Sequence, residues 1–274
     1  MGNFNTDQAE GLRRMLAGPK PRILSVLSVL SVEEKSAALV NLAASLSRAG
    51  SDVLVLDACS ASNGLAQRLG VARVATLMQV ARQERGLNEV VQKSAQGFSV
   101  GTMSRENMQL LSNDAHQARR LSNAFGVLAA QSDIVLVDAE LGVDDRLPVA
   151  AMESGEIVVQ LSGSSSAITS AYAMIKRLGI ALGRRPFGIM ISGATDSEAQ
   201  RIYENIARTA SRYLAVDLQM VGAVPADADL RRSVQLGRSV VDAFPMAAAA
   251  VAFRRMAGRL LNSESSGPLL LQSA

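Results

Sequence analysis

Two pairs of residues in this sequence carry side chains that phosphate chemistry requires. Lys35 and Ser36 stand where an apolar run gives way to a stretch with helical periodicity, and Asp57 and Asp138 each follow four apolar residues. A lysine beside a hydroxyl can bind phosphate and Mg²⁺, and an aspartate that ends a buried strand can hold the same Mg²⁺. Either aspartate alone is typical of a helix cap or a turn. Together the four residues indicate a nucleotide-binding ancestry.

A backbone group completes this candidate site. Gly142 follows Asp138 in a D-x-x-x-G spacing, which would let a backbone N–H meet a terminal phosphate. If a nucleotide binds, we expect Lys35 on the phosphates, Ser36 and Asp138 on Mg²⁺, and Asp57 in support. These residues are therefore the predicted nucleotide-binding and metal-binding positions, and Mg-ATP is the predicted cofactor in that case only.

The loop before Lys35 lacks the glycines that such a loop normally uses. Glycines let the loop N–H groups approach phosphate oxygens, whereas this chain has Ser31-Val32-Glu33-Glu34. The pattern S-x-x-E predicts a capping box, in which the serine and the second glutamate satisfy the start of the helix. Glu33 and Glu34 would then occlude the positive end of the helix dipole, with Glu34 standing in for phosphate. The alternative is an ordinary strand-to-helix turn.

The elements that must position these residues alternate between strand and helix. Continuous apolar runs predict buried strands, and the helical patterns between them predict helices on both faces of the sheet. We therefore predict an α/β fold with a doubly wound, mostly parallel sheet of about seven strands, as in P-loop NTPases. The predicted strands are Ile23–Val29, Val53–Leu56, Phe98–Met103, Ile134–Val137, Ile157–Val159, Ile189–Ile191 and Met220–Val224, and a helical stretch is predicted over 75–93.

Composition excludes several classes of protein. The chain has 274 residues, of which 48% are hydrophobic, enough for one large domain. One Cys and one His exclude a disulfide framework and a metal site of nitrogen and sulfur ligands. The net charge of +3 is mild, and the recurring Arg pairs are interpreted as solvated helix ends, so we expect no nucleic-acid partner.

Three segments are predicted along the chain. Residues 1–20 form a polar arm, residues 21–262 form the α/β domain, and residues 263–274 form a flexible tail. The apolar patch of this tail is too small for stable anchoring, so membrane association is not expected from it. We expect a cytoplasmic protein, with a peripheral position at the inner membrane or cell pole as the alternative.

The residues around the candidate site resemble the MinD/ParA ATPases, which have a deviant Walker A loop. The resemblance rests on Asp57-Ala58-Cys59, on Asp138 with Gly142, and on the segment Ser166–Lys176. Within this group the sequence is similar to the FlhG or FleN regulators of flagellar number and placement, for example at Val221–Asp227. The resemblance covers nearly the whole chain.

The arm carries the most specific part of the resemblance. Its segment from Asp7 to Arg13 is similar to the Asp-Gln-Ala-x-x-Leu-Arg helix with which these regulators stimulate a flagellar GTPase of the signal-recognition type. The resemblance therefore implies that Asp7, Gln8, Leu12 and Arg13 bind that GTPase. It also implies a flagellar transcription factor or switch-complex proteins as further partners, and a homodimer only if nucleotide binds.

Departures from the family are concentrated at the candidate site. The family loop Lys-Gly-Gly-Val-Gly-Lys-Thr places its signature lysine at Leu30, and three of its glycines are replaced by Ser31, Val32 and Glu34. The second aspartate of the switch motif is Cys59, which cannot orient water as a carboxylate does. These losses imply a pseudo-ATPase that needs no cofactor, with hydrolysis gone.

Three interpretations stay open at this point. The first is a degenerate regulator of flagellar number that works through protein contacts, in which Lys35 pairs with Glu34, Asp57, Asp138 or Glu140. The second is a working ATPase switch whose loop tolerates the substitutions. The third is a ParA-type DNA partitioning protein, whose DNA binding would have to weaken with salt, and the arm argues against it.

Overall fold

A computed structural model describes residues 20–59, 65, 69–70, 75–105 and 115–262. Residues 1–19 of the predicted arm, including Asp7, Gln8, Leu12 and Arg13, and the predicted tail 263–274 lie outside the described residues. Among the described residues, no helix has both the length and the apolarity needed to cross a bilayer.

The described residues form one eight-stranded sheet. In chain order the strands are β1 Arg22–Ser28, β2 Val53–Asp57, β3 Gln92–Lys93, β4 Ser99–Thr102, β5 Ile134–Asp138, β6 Glu156–Ser162, β7 Phe187–Ser192 and β8 Leu218–Val224. Their spatial order is β3-β4-β2-β5-β1-β6-β7-β8. All neighbours are parallel except β3 and β4. Strand β1 lies between β5 and β6, where the order reverses, and ligands of such sheets bind at this point.

Among the described residues, six α-helices lie between strands along the chain and three more follow β8. They are α1 Val32–Arg48, α2 Leu77–Ala81, α3 Ala115–Ala129, α4 Ala150–Ser154, α5 Ser165–Leu182, α6 Asp196–Leu214, α7 Ala228–Gln235, α8 Val240–Ala243 and α9 Ala248–Asn262. Helix α9 packs on α1 and β8 and buries Phe253 and Met256. Its apolar face is therefore used inside the domain.

Two hydrophobic cores cover the two faces of the sheet. Along β2, Leu54 and Leu56 join one core, while Val53 and Val55 join the other. Because successive strand residues point to opposite faces, a strand buried on both sides reads as a continuous apolar run. This explains why the sequence predicts the parallel strands, and the predicted α/β fold is confirmed.

Two features of the fold differ from the prediction. The sheet has eight strands because the short antiparallel strand β3 adds an edge. The predicted helical stretch 75–93 is wrong, since it contains α2, a 3₁₀ turn at Leu87–Glu89 and β3. Gln83 has a φ of 63°, a left-handed conformation that an α-helix does not contain.

Candidate functional site

The loop between β1 and α1 satisfies its own helix start. Ser31 is the N-cap residue, and its hydroxyl accepts the N–H of Glu34 at 3.2 Å. The Glu34 carboxylate in turn accepts the backbone N–H of Ser31 at 3.2 Å and its hydroxyl at 2.9 Å. The capping box predicted from the sequence is therefore present. It uses a loop N–H that would otherwise be available to an anion.

Lys35 points into the protein. The whole residue is only 7% exposed, and its ammonium lies 2.5 Å from Asp138 Oδ1 and 2.5 Å from the carbonyl oxygen of Ala139. Asp138 ends β5 opposite Val26 of β1, and its salt bridge with Lys35 places it close to the start of α1. The sequence left four carboxylates as possible partners of Lys35, and in the structure Lys35 pairs with Asp138.

Cys59 lies against this ion pair. Its sulfur is 3.5 Å from Lys35 Nζ and donates to Asp138 Oδ1 at 3.2 Å, while its backbone N–H donates to Asp57 Oδ1 at 3.2 Å. Burial raises the pKa of the Cys59 thiol above its ordinary value of 9.0, although the positive charge of Lys35 acts to lower it. The thiol is therefore neutral near pH 7 and acts as a hydrogen-bond donor.

Asp57, Cys59 and Asp138 offer ligand atoms that all lie within 4.8 Å of one another. The register of the sheet produces this cluster, because Asp57 and Asp138 are direct neighbours on β2 and β5. The ammonium of Lys35 contacts two of these three side chains. The positive charge that balances this acidic cluster is thus supplied by the chain itself.

Ser36 is the predicted residue that still fits Mg²⁺. It is 5% exposed, and its hydroxyl oxygen has no hydrogen-bond partner among the described residues. A buried hydroxyl without a partner is costly, and a cation or water would satisfy it.

Gly142 does not offer its N–H in this conformation. The N–H donates to the carbonyl oxygen of Arg146 at 2.9 Å and closes a turn. Leu30, at the position of the family's signature lysine, has no charge to offer. With Lys35 and Asp138 bound to each other and the N–H of Ser31 bound to Glu34, the groups as they lie do not fit a Mg-nucleotide.

Sequence reasoning missed Gln160 on β6. Its amide nitrogen donates to Ser192 Oγ at 2.9 Å and to the carbonyl oxygen of Glu34 at 3.4 Å. It is 1% exposed, and its amide oxygen has no partner among the described residues. The available signal was a polar residue inside the continuous apolar run of β6. Gln160 ties the first turn of α1 to the ends of β6 and β7.

Comparisons with known proteins agree with this architecture. The chain is 28% identical over 222 residues to the antiactivator FleN of Pseudomonas aeruginosa, a match that covers 81% of this chain and 79% of FleN. No protein-family model matches the chain.

Solved structures give the same fold. The MinD protein of Pyrococcus horikoshii in complex with Mg-ADP is similar with a TM-score of 0.66 and 20% identity, over 90% of this chain and 98% of that one. A ParA family ATPase from Chlorobium tepidum is similar with a TM-score of 0.67 and 18% identity, over 88% of this chain and 100% of that one. The resemblance inferred from the sequence is confirmed: the chain is similar in sequence to the antiactivator FleN and has the fold of the MinD and ParA ATPases.

Proposed function

We propose that this chain is a FleN-like regulator of flagellar number or placement that acts through protein contacts, with a nucleotide site closed by its own residues. The observation that carries the proposal is the buried pair between Lys35 and Asp138. In the predicted ATPase arrangement these two residues serve phosphate and Mg²⁺ separately. Here each neutralises the other.

Opening this site has an energetic cost. Breaking a buried ion pair leaves a charge without compensation, which costs about 3–5 kcal/mol when one partner is removed. A nucleotide would have to replace this pair with its own contacts, phosphate at Lys35 and Mg²⁺ at Asp138, before it gained any affinity. The carboxylates of Glu33 and Glu34 in the first turn of α1 add repulsion where phosphate would lie. We infer that they occlude the site.

Hydrolysis is absent in this proposal. Phosphoryl transfer depends on positioned charges and on a positioned water. Cys59 is neutral and already bonded to Asp138, and Leu30 supplies no charge. The chain is accordingly proposed to be a pseudo-ATPase.

The proposed partners come from the resemblance. FleN is an antiactivator by name, which supports a transcriptional activator as one partner of this chain. The arm residues Asp7, Gln8, Leu12 and Arg13 are proposed to stimulate the flagellar GTPase. A Gln8→Ala, Arg13→Ala variant should then fail to stimulate GTP hydrolysis by that partner. Unchanged stimulation would show that the arm assignment is wrong.

A second candidate function is an ATP-binding switch. The unpartnered, buried hydroxyl of Ser36 favours it, because that hydroxyl is the group expected to coordinate Mg²⁺. The relative from Pyrococcus horikoshii holds Mg-ADP in the same fold. This candidate requires Lys35 to leave Asp138 and to bind phosphate.

Calorimetric titration with Mg-ATP distinguishes the two candidates. The parent protein should give no saturable binding, and a Glu33→Gly, Glu34→Gly variant tests whether the two carboxylates are part of the block. If the parent binds Mg-ATP and a Lys35→Met variant does not, the ATP-binding switch is correct. Lys176→Met is the matched control, because Lys176 is an exposed lysine on α5.

A further inference from the structure

We infer that Lys35, through its contacts with Asp138 and Ala139, holds the segment after β5, residues 139–147, in one conformation. We call this contact the latch. This inference deepens the proposed function and rests on it, because it gives Lys35 a regulatory role at the same site. Three sets of contacts carry it.

The first set holds the exit of β5. Lys35 Nζ binds both the Asp138 carboxylate and the carbonyl oxygen of Ala139, so one ammonium contacts a side chain and the backbone of the next residue. The N–H of Ala139 donates to the carbonyl oxygen of Val26 on β1 at 3.1 Å. Both peptide groups of Ala139 are therefore fixed, and the direction in which the chain leaves the sheet is set by α1.

The second set closes a turn. Gly142 N–H donates to Arg146 O at 2.9 Å, Asp145 N–H donates to Gly142 O at 3.1 Å, and Arg146 N–H donates to Asp144 Oδ1 at 3.2 Å. Asp145 has a φ of 61°, a left-handed conformation that aspartate tolerates better than most residues. Val143, within this turn, is 78% exposed. The turn is thus held by two backbone hydrogen bonds and one bond to a side chain, although Val143 is exposed to solvent.

The third set ties the turn to the neighbouring helices. Arg177 on α5 forms an ion pair with Asp145, and Arg146 pairs with Glu153 on α4 at 3.0 Å. Arg146 also donates to the carbonyl oxygen of Ala181, one turn beyond Arg177. The turn is therefore braced along α5 as well as against α4.

Together these contacts form a continuous path from the first turn of α1 to α5. Coupling between two sites requires a structural element that can adopt two conformations, with different contacts in each. Lys35 makes the contacts at the start of this path, so we expect its loss to loosen the segment from the exit of β5 onward. Addition of Mg-ATP to the parent should leave exchange in this segment unchanged.

Hydrogen–deuterium exchange on the full chain tests the latch. In a Lys35→Met variant that is folded by circular dichroism, exchange in peptides covering 139–147 should rise by about tenfold, since local opening would need less energy. Exchange that equals that of the parent would overturn the inference. A Lys35→Met, Asp138→Asn variant, which removes both charges of the pair, should show the same rise and serves if the single variant does not fold.

The ion pair between Arg177 and Asp145, which we call the brace, is tested by a matched pair of variants. Arg177→Gln should raise exchange at 142–147 and leave the exit of β5 unchanged, whereas Lys176→Gln, at the preceding position of α5, should change neither. Equal exchange in these two variants would overturn the role of the brace. Mg-ATP binding by the parent in calorimetry would overturn the proposed function alone, because the exchange response to Lys35→Met does not depend on it.

Discussion

Two ion pairs lie at the two ends of the segment after β5, and they differ mainly in their exposure to water. In the pair between Lys35 and Asp138 the side chains are 9% and 2% exposed. In the pair between Arg177 and Asp145 they are 54% and 27% exposed. Each pair joins a carboxylate to a basic side chain on a helix, so the chemistry is alike.

This difference assigns the two pairs different roles. Solvent screens the outer pair, so it can orient a turn but adds little to stability. The inner pair is shielded from solvent, so each charge needs the other to offset the cost of its burial. We therefore expect the inner pair to contribute to stability and, in the proposed function, to block the nucleotide site, whereas the outer pair should affect only a local conformation.

Removing the inner cation should have the largest effect. A Lys35→Met variant leaves the Asp138 carboxylate buried without its cation, and we expect the free energy of unfolding to fall by about 3–5 kcal/mol. Urea denaturation at neutral pH measures this change. Lys176→Met, on the exposed face of α5, should change the same quantity by less than about 0.5 kcal/mol. A loss for Lys35→Met as small as that of Lys176→Met would contradict the buried role of the pair.

The cap beside the inner pair should matter less. Ser31→Ala removes the hydroxyl that accepts the N–H of Glu34, and a lost N-cap costs about 1 kcal/mol. Urea denaturation again measures the loss. Ser165→Ala serves as the control, because Ser165 follows the N-cap Ser164 of α5 and is not the capping residue. Equal losses in the two variants would show that the Ser31 cap contributes nothing specific.

Much of this site could be predicted because its signals are local. The capping box depends on Ser31 and Glu34 alone, and the aspartates Asp57 and Asp138 follow apolar runs that predict buried strands. Parallel strands bring their carboxyl ends to one edge, so the clustering of these aspartates follows from the fold class.

Other features depend on distances that the sequence does not contain. The sequence left four carboxylates for Lys35, and the choice of Asp138 depends on the register between β1 and β5. The N–H of Gly142 is used by a turn whose partner, Arg146, comes later in the chain. Strand β3 has only the two polar residues Gln92–Lys93, so it shows no apolar pattern.

Cys59 should make the inner site sensitive to alkaline pH. Its pKa is raised in the folded chain by burial, so the folded form keeps a proton that the unfolded form loses above pH 9.0. The resulting stability is present below pH 9.0 and is lost as pH rises further, by less than about 1 kcal/mol near pH 9.5. Denaturation curves of the parent and of Cys59→Ala over this range isolate the effect, since other groups titrate in both. Parallel pH dependence in the two proteins would argue against a buried, neutral thiol.

The outer pair should show the smallest effect, which we expect in the titration of the Asp145 carboxyl and not in the free energy of unfolding. The hydrogen bond from Arg177 holds the pKa of the Asp145 carboxyl below its ordinary value of 3.8. The contribution of this bond is therefore present above pH 3.8 and is lost as pH falls through the lowered pKa. Carboxyl carbon NMR should place the Asp145 midpoint below 3.8 in the parent and in Lys176→Gln, and nearer 3.8 in Arg177→Gln. If Arg177→Gln leaves the midpoint where it is in the parent, the outer pair does not form in solution, and Arg146 rather than Arg177 ties the turn to α4 and α5.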